Sequence, residues 1–139
     1  MTSKKEFFNC PLPLGMKTSG SEPEFIVTVT LIVADIARSV SFYRDVLGAT
    51  VLRKGEPVFL RLKNSWTTIN RGGGGTDDKP DVIASPPKDQ NTLSSFLNLR
   101  VADIKRCCEL WRSRGAHFIT EPKVHQTEMR CYMRDRTGI

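Results

Sequence analysis

From residue 25 to residue 34 apolar and polar side chains alternate. Val27, Val29, Leu31 and Val33 fall on one side, and Thr28, Thr30 and Ile32 on the other. A period of two predicts a β-strand with one dry face and one more polar face. At Asp35 the period changes: Ile36, Val40, Tyr43 and Leu47 recur at helical spacing. Asp35 stands where an N-cap belongs, its carboxylate able to accept from the first free backbone N–H groups. Gly48 stands where a helix closes. Three short strands are predicted next, at Thr50–Arg53, Val58–Lys63 and Trp66–Asn70, with turn signals at Gly55 and at Lys63-Asn64-Ser65. The order is βαβββ.

The pattern then repeats. Val-Ala-Asp-Ile occurs at 33–36 and again at 101–104, so its aspartates, Asp35 and Asp103, stand 68 positions apart. In Ser95–Ala102, Leu97, Leu99 and Val101 share one side of a predicted strand, and Phe96, Asn98 and Arg100 the other. Asp103 caps, Ile104, Cys108 and Trp111 match Ile36, Val40 and Tyr43, and Gly115 closes. His117–Thr120 and Met129–Arg134 read as two more strands. A duplicated unit of this kind dictates the fold, because each copy needs a neighbour to bury its apolar face. The expected organisation is α+β: an N-terminal arm (1–24), unit one (25–70), a linker (71–92) and unit two (93–139). The last strand of unit two is expected to be missing, because the counterpart of Trp66–Asn70 has no residues left before Ile139.

Composition narrows the classes. With 39% hydrophobic and 26% charged residues the chain resembles a globular domain rather than a disordered one. No apolar run approaches the roughly 20 residues of a spanning helix. Lys4 and Lys5 precede Phe7-Phe8, but Asn9-Cys10-Pro11 breaks that run too early for a signal peptide. A cytoplasmic location is expected. The net charge of +6 is spread along the chain, with no basic stripe, so nucleic acid and membrane are not expected partners. Four consecutive glycines (Gly72 to Gly75) are followed by no Gly-Lys-Ser/Thr, so they predict a flexible linker rather than a phosphate loop. The four cysteines, Cys10, Cys107, Cys108 and Cys131, show no zinc spacing.

Three segments carry a family resemblance. Val-Ala-Asp-Ile-Ala-Arg-Ser-Val-Ser-Phe-Tyr-Arg-Asp-Val-Leu-Gly (33–48), Phe-Leu-Asn-Leu-Arg-Val-Ala-Asp-Ile (96–104) and Cys-Tyr-Met-Arg-Asp-Arg-Thr-Gly (131–138) resemble the vicinal oxygen chelate superfamily. That superfamily includes glyoxalases, bleomycin-resistance proteins and extradiol dioxygenases. The resemblance covers residues 25–139. It implies two βαβββ units whose curved sheets form a half-open barrel around a small-molecule site, and often a homodimer. It also implies, for metal-dependent members, a divalent ion held by one residue from each first strand and one from each last strand.

Here the chain departs from the pattern. The first-strand ligand of that family lies seven residues before the capping aspartate, which gives Thr28 and Phe96. Threonine is a poor ligand for a divalent ion and phenylalanine is none. The glutamate of unit one should fall near Thr68 or Asn70, where no carboxylate stands. His117, His125 and Glu128 form no recognised ligand spacing, and both histidines are expected to face solvent. No metal and no cofactor are expected.

By strand parity, Thr28, Thr30, Trp66, Thr68, Asn70, Phe96, Asn98 and Arg100 are expected to line one cavity, an apolar and aromatic wall with a few polar groups. Arg100 would suit an anionic or carbonyl-bearing ligand, or pair with a nearby acid. The expected function is metal-independent small-molecule binding of the resistance-protein type. Two alternatives stand: a lyase, isomerase or dioxygenase (lactoylglutathione lyase-like) with non-standard ligands, and a catalytically silent interaction module that uses an exposed sheet edge. The sequence leaves open whether any reaction is catalysed. An absent last strand would leave an unpaired edge in unit two. A version extended by about ten residues, one strand and its turn, is therefore expected to melt at a higher temperature. Equal midpoints for the two versions would refute this.

Overall fold

The structure, a computed structural model, describes residues 27–135. The expected N-terminal arm, the start of the first strand and the turn after Asp135 lie outside the described residues.

Unit one folds as its pattern predicts. Strands β1 (Val29–Ile32), β2 (Thr50–Arg53), β3 (Val58–Leu62) and β4 (Ser65–Asn70) form one sheet in the order β1-β4-β3-β2. β4 pairs on both sides. It runs parallel to β1, with Val29 opposite Thr67 and Ile32 opposite Asn70. It runs antiparallel to β3, with Val58 opposite Ile69 and Leu62 opposite Ser65. Alternation buries Leu31, Val33, Val58, Leu60, Leu62, Thr67 and Ile69, and all but Thr67 cluster with Phe42, Tyr43, Val46 and Leu47. Thr30, Ile32, Trp66, Thr68 and Asn70 take the opposite parity and none of them is buried.

The two caps are near-copies. Asp35 accepts from the Arg38 N–H at 3.0 Å and Asp103 from the Arg106 N–H at 3.0 Å. Both aspartates have extended backbone, at φ −136° and −132°, so each side chain satisfies one donor that the first helical turn leaves without a partner. The helices that follow are α1 (Ile36–Ser41) and α2 (Ile104–Ser113). The spans from cap to closing glycine differ by one residue, and both glycines, Gly48 and Gly115, take positive φ. Gly48 lies thirteen positions after Asp35, and Gly115 twelve positions after Asp103.

The additional residue is absorbed as a π-helical turn, Phe42–Val46. At the closure, Ala49 N–H reaches back to Tyr43 O at 2.9 Å, while Ala116 N–H reaches Trp111 O at 2.9 Å. Tyr43 and Trp111 are equivalent in the repeat, so the insertion falls between Tyr43 and Ala49. A π-turn is how a helix accommodates one inserted residue without breaking. It also explains why helical periodicity picked out Tyr43 and Leu47 but not Phe42 and Val46, all of which are buried. The two helix ends meet directly: Arg114 donates to Val46 O at 3.1 Å, which supplies a donor for a carbonyl near the helix end.

Unit two departs from expectation in two places. The predicted strand Ser95–Ala102 is not a strand: residues 96–101 adopt no regular structure. Unit one shows the reason. Its first strand is held solely by β4, and among the described residues unit two has no equivalent of β4. Without a ladder partner an extended segment has no reason to straighten. Alternation survives in part: Leu97 packs against the core, whereas Leu99 and Val101 are partly exposed.

The predicted strand Met129–Arg134 is split. Its first part joins a hairpin of β6 (Lys123–His125) and β7 (Glu128–Arg130). Its second part is β8 (Met133–Arg134), paired with β5 (His117–Phe118). The hairpin turns at Gln126-Thr127, with Gln126 at φ 47°. That turn has neither glycine nor asparagine, the residues by which tight turns are recognised in a sequence. Among the described residues no helix is long and apolar enough to cross a membrane.

The connector, expected to be a flexible linker, carries two closed bridges, Gly73 with Ala84 and Thr76 with Lys79. Gly72 lies at φ +83°, and a Cβ there would collide with Ala84 O and come within 2.8 Å of Ile32 Cγ2. The glycine is thus a packing requirement that seats the connector against β1. Gly72→Ala is expected to destabilise the fold by about 1–3 kcal/mol through backbone strain and collision, read as a lower denaturant midpoint. Gly74→Ala, at a position with open space around it, is expected to leave the midpoint within about 0.5 kcal/mol.

Candidate functional site

The main concavity has a volume of about 550 Å³. Its floor is α2, through Ile104, Cys108 and Trp111, together with Phe42, Tyr43 and Leu47 from the π-turn and the residue after it. One wall is the irregular segment 96–102 and the other is residues 128–135. These walls correspond to the first and third strands of unit one. The cavity therefore occupies the place that β4 fills in the first copy, between a first strand and a third strand and over the apolar face of a helix.

The walls are aromatic and apolar with a charged rim. Phe96 and Tyr132 meet edge to face across the cavity at 6.0 Å between ring centroids. Both are exposed, as are Leu93, Leu99 and Val101. At the rim Arg100 lies 3.5 Å from Glu128, which also contacts Arg130 at 3.4 Å. The Arg100 side chain is 81% exposed, so this ion pair contributes little to stability and can exchange partners. Arg134 donates to Asn91 at 2.7 Å and to Gln90 at 3.3 Å, tying the end of the connector to β8.

At the deep end lies a buried polar contact. Ser39, on α1, donates to Asp135 at 3.3 Å, and both residues are buried. This contact joins the last described residue of unit two to the helix of unit one. Tyr43 lies in the same region, and its phenol pKa is raised well above the ordinary value, first by burial and then by the nearby Asp135 carboxylate. Cys108 is buried on the floor, and its pKa is pushed up to about 12, chiefly by burial and then by its hydrogen bond with Cys131.

The eight expected site residues divide into two groups. Phe96, Asn98 and Arg100 line this cavity. Thr28, Thr30, Trp66, Thr68 and Asn70 do not, because unit one's sheet presents them on its other face. That face also carries Phe59 opposite Thr68 and Arg61 opposite Trp66, with the Arg53 guanidinium 5.6 Å from the Phe59 ring centre. The eight residues are thus not brought into one cavity, and in unit two both parities line it, since Leu97, Leu99 and Val101 stand there beside Phe96, Asn98 and Arg100. His117 and His125 are both exposed, on different strand pairs. Sequence reasoning missed the contribution of the π-turn residues Phe42 and Leu47, and of Tyr132 and Asp135. Phe42 and Asp135 were within reach, in Ser-x-x-Phe-Tyr and in Asp-Arg-Thr-Gly.

The residues at the family's metal positions do not fit an ion. Thr28 is exposed, Phe96 has no donor atom, and Thr68 and Asn70 bring no carboxylate. Among the described residues no three His, Cys, Asp or Glu side chains converge as a metal site.

The fold is the mixed α+β arrangement of glyoxalase-like proteins. Lactoylglutathione lyase from Agrobacterium tumefaciens superposes with a TM-score of 0.57 at 18% identity, covering 84% of this chain and 90% of that one. Fosfomycin resistance protein FosX from Mesorhizobium loti superposes with a TM-score of 0.57 at 17% identity, covering 84% and 87%. The family model for the glyoxalase/bleomycin resistance protein/dioxygenase superfamily matches residues 25–139, and the chain belongs to that superfamily. In sequence, metallothiol transferase FosB from Staphylococcus epidermidis is 42% identical over 43 residues, 30% of this chain. That match spans 31% of the transferase, about a third of its length.

The raised Tyr43 pKa has a signed consequence. The folded chain holds the phenol proton more tightly than the unfolded chain, whose value is near 10.0. Tyr43 therefore contributes its full stability below about pH 10 and loses it as the pH rises further. Tyr43→Phe is expected to flatten stability against pH above pH 10, measured by urea unfolding. Cys108 titrates in both proteins, so the difference between the two curves isolates Tyr43.

Proposed function

We propose that the chain is a metal-independent small-molecule-binding member of its superfamily, acting by sequestration. The observation that carries this is the cavity of about 550 Å³ with an apolar and aromatic lining. Its volume lies within the few hundred to roughly 1,000 Å³ of small-ligand sites. Enclosure requires no reacting group. The rim supplies Arg100, which among the described residues makes an exposed contact with Glu128, for an anionic or carbonyl-bearing end of the ligand. Metal-dependent lyase, isomerase or dioxygenase chemistry is the weaker reading, because Thr28 and Phe96 stand where such members place ligands.

A second reading has its own observation. The cavity lies where β4 lies in unit one, with backbone on both flanks, so it has the form of a slot for one extended strand. On that reading the chain is an interaction module without chemistry.

A thermal-shift screen with small aromatic carboxylates and phosphonates, with the peptide Ser-Trp-Thr-Thr-Ile-Asn, and with Mn²⁺, Ni²⁺ and Zn²⁺ separates the readings. Small anions are expected to raise the melting temperature. Phe96→Ala and Arg100→Gln are each expected to weaken that binding by roughly tenfold, about 1.4 kcal/mol, while Thr28→Ala leaves it unchanged. A shift with the peptide alone favours the strand slot. A stoichiometric ion that survives millimolar chelator would overturn metal independence.

A further inference from the structure

Two cysteines far apart in sequence meet in the cavity lining. Cys108 Sγ, on the inner side of α2, lies 3.3 Å from Cys131 Sγ, on the strand-side wall just before β8. Both are free thiols, Cys108 buried and Cys131 partly exposed. A disulfide requires sulfurs about 2.05 Å apart, so closure asks the two sulfurs to approach by little more than about 1 Å. Cys107, the immediate neighbour in sequence, makes no such contact, because successive residues on a helix point about 100° apart.

We propose that Cys131 and Cys108 form a thiol–disulfide site: Cys131 reacts with a small disulfide that enters the cavity, and Cys108 resolves the adduct. The first step is attack by the Cys131 thiolate on one sulfur of R–S–S–R. The S–S bond of the small molecule breaks, one R–S⁻ leaves and takes up a proton, and a mixed disulfide remains on Cys131. In the second step Cys108 gives up its proton to solvent and attacks the Cys131 sulfur. The bond to the second R–S group breaks, and that group leaves and is protonated. Two protein thiols are oxidised to one protein disulfide, and one small disulfide is reduced to two thiols.

The order of attack follows from exposure. Cys131 stands at the wall, where an incoming disulfide reaches it, whereas Cys108 is 2% exposed on the floor. Burial also holds the Cys108 thiol protonated, its pKa pushed up to about 12, so it reacts only with a partner already fixed beside it. The product links the wall at residue 131 to the floor at α2. It holds Tyr132, and with it the Phe96–Tyr132 ring contact, at the cavity mouth. The inference rests on the sulfur geometry and does not depend on the proposed sequestration function.

The test uses the full chain and oxidised glutathione, followed by alkylation, digestion and mass spectrometry. The expected result is a peptide link between Cys108 and Cys131, with Cys107 still open to alkylation. The native chain is expected to favour Cys108 over Cys107 by roughly tenfold or more. In denaturant that preference should vanish, since loops that differ by one residue close with nearly equal entropy. Cys108→Ser should trap one glutathionyl group on Cys131, and Cys107→Ser should leave the link intact. Linkage through Cys107, a stable glutathionyl adduct on the unsubstituted chain, or full alkylation of both Cys108 and Cys131 after treatment would each overturn the proposal.

Discussion

A strand inside a sheet must satisfy backbone groups on both of its edges, and in this protein one strand does so for a whole unit. β4 accepts β1 on one side in parallel and β3 on the other in antiparallel register. β4 joins them, and within β1 Leu31 is buried while Thr30 is exposed. In unit two the same sequence alternation is present, the same cap follows and the same kind of helix packs below. Residues 96–101 nevertheless form no strand. Among the described residues, the local pattern is alike in the two copies and the ladder partner is not. A buried or half-buried extended segment is stabilised mainly by what pairs with it.

The same constraint shapes the candidate site. Where β4 would stand, the described residues leave a trough floored by Ile104, Cys108 and Trp111 and flanked by Phe96 and Tyr132. Its apolar surface results from helix positions that pack under a sheet in unit one and lie beneath a cavity in unit two. Among the described residues, the two copies therefore differ in what covers the apolar face of the helix. The π-turn adds a second asymmetry. Around this turn Phe42, Tyr43, Val46 and Leu47 are all buried, and Phe42, Tyr43 and Leu47 also contribute to the cavity floor.

What was legible in the sequence was whatever depends on neighbours within about one turn. Asp35 and Asp103 were recognisable as caps because the capping bond spans three residues. Gly48 and Gly115 were recognisable because left-handed backbone favours glycine. The βαβββ order of unit one followed from period changes alone. The split of 129–134 was hidden, because the hairpin turns at Gln126-Thr127 without a glycine signal and β8 depends on a distant partner, β5. The unity of the site was hidden for a related reason. Parity says which side of a strand a residue takes, but it does not say that two sheets enclose one space. Residues 96–102 line the cavity whichever parity they take, while Trp66, Thr68 and Asn70 do not line it.

Membership of the superfamily and departure from its metal pattern are compatible, because they are written in different residues. Membership is carried by the caps, the helix faces and the sheet order, which hold the fold whatever the strands present to a ligand. The metal pattern is carried by single positions on strand faces, and here Thr28 and Phe96 bring no suitable donors there. Changing such a position costs the fold little, since an exposed threonine or phenylalanine satisfies the strand as well as a ligating side chain does. At the cavity rim the charges that remain, Arg100 and Arg130 around Glu128, are two cations to one anion held by contacts of 3.5 and 3.4 Å. An incoming carboxylate or phosphonate would share that excess positive charge without removing a buried partner, so recruitment of Arg100 leaves no orphaned charge behind. On the proposed reading, such a site would hold an anion by redistributing surface charge over an apolar floor.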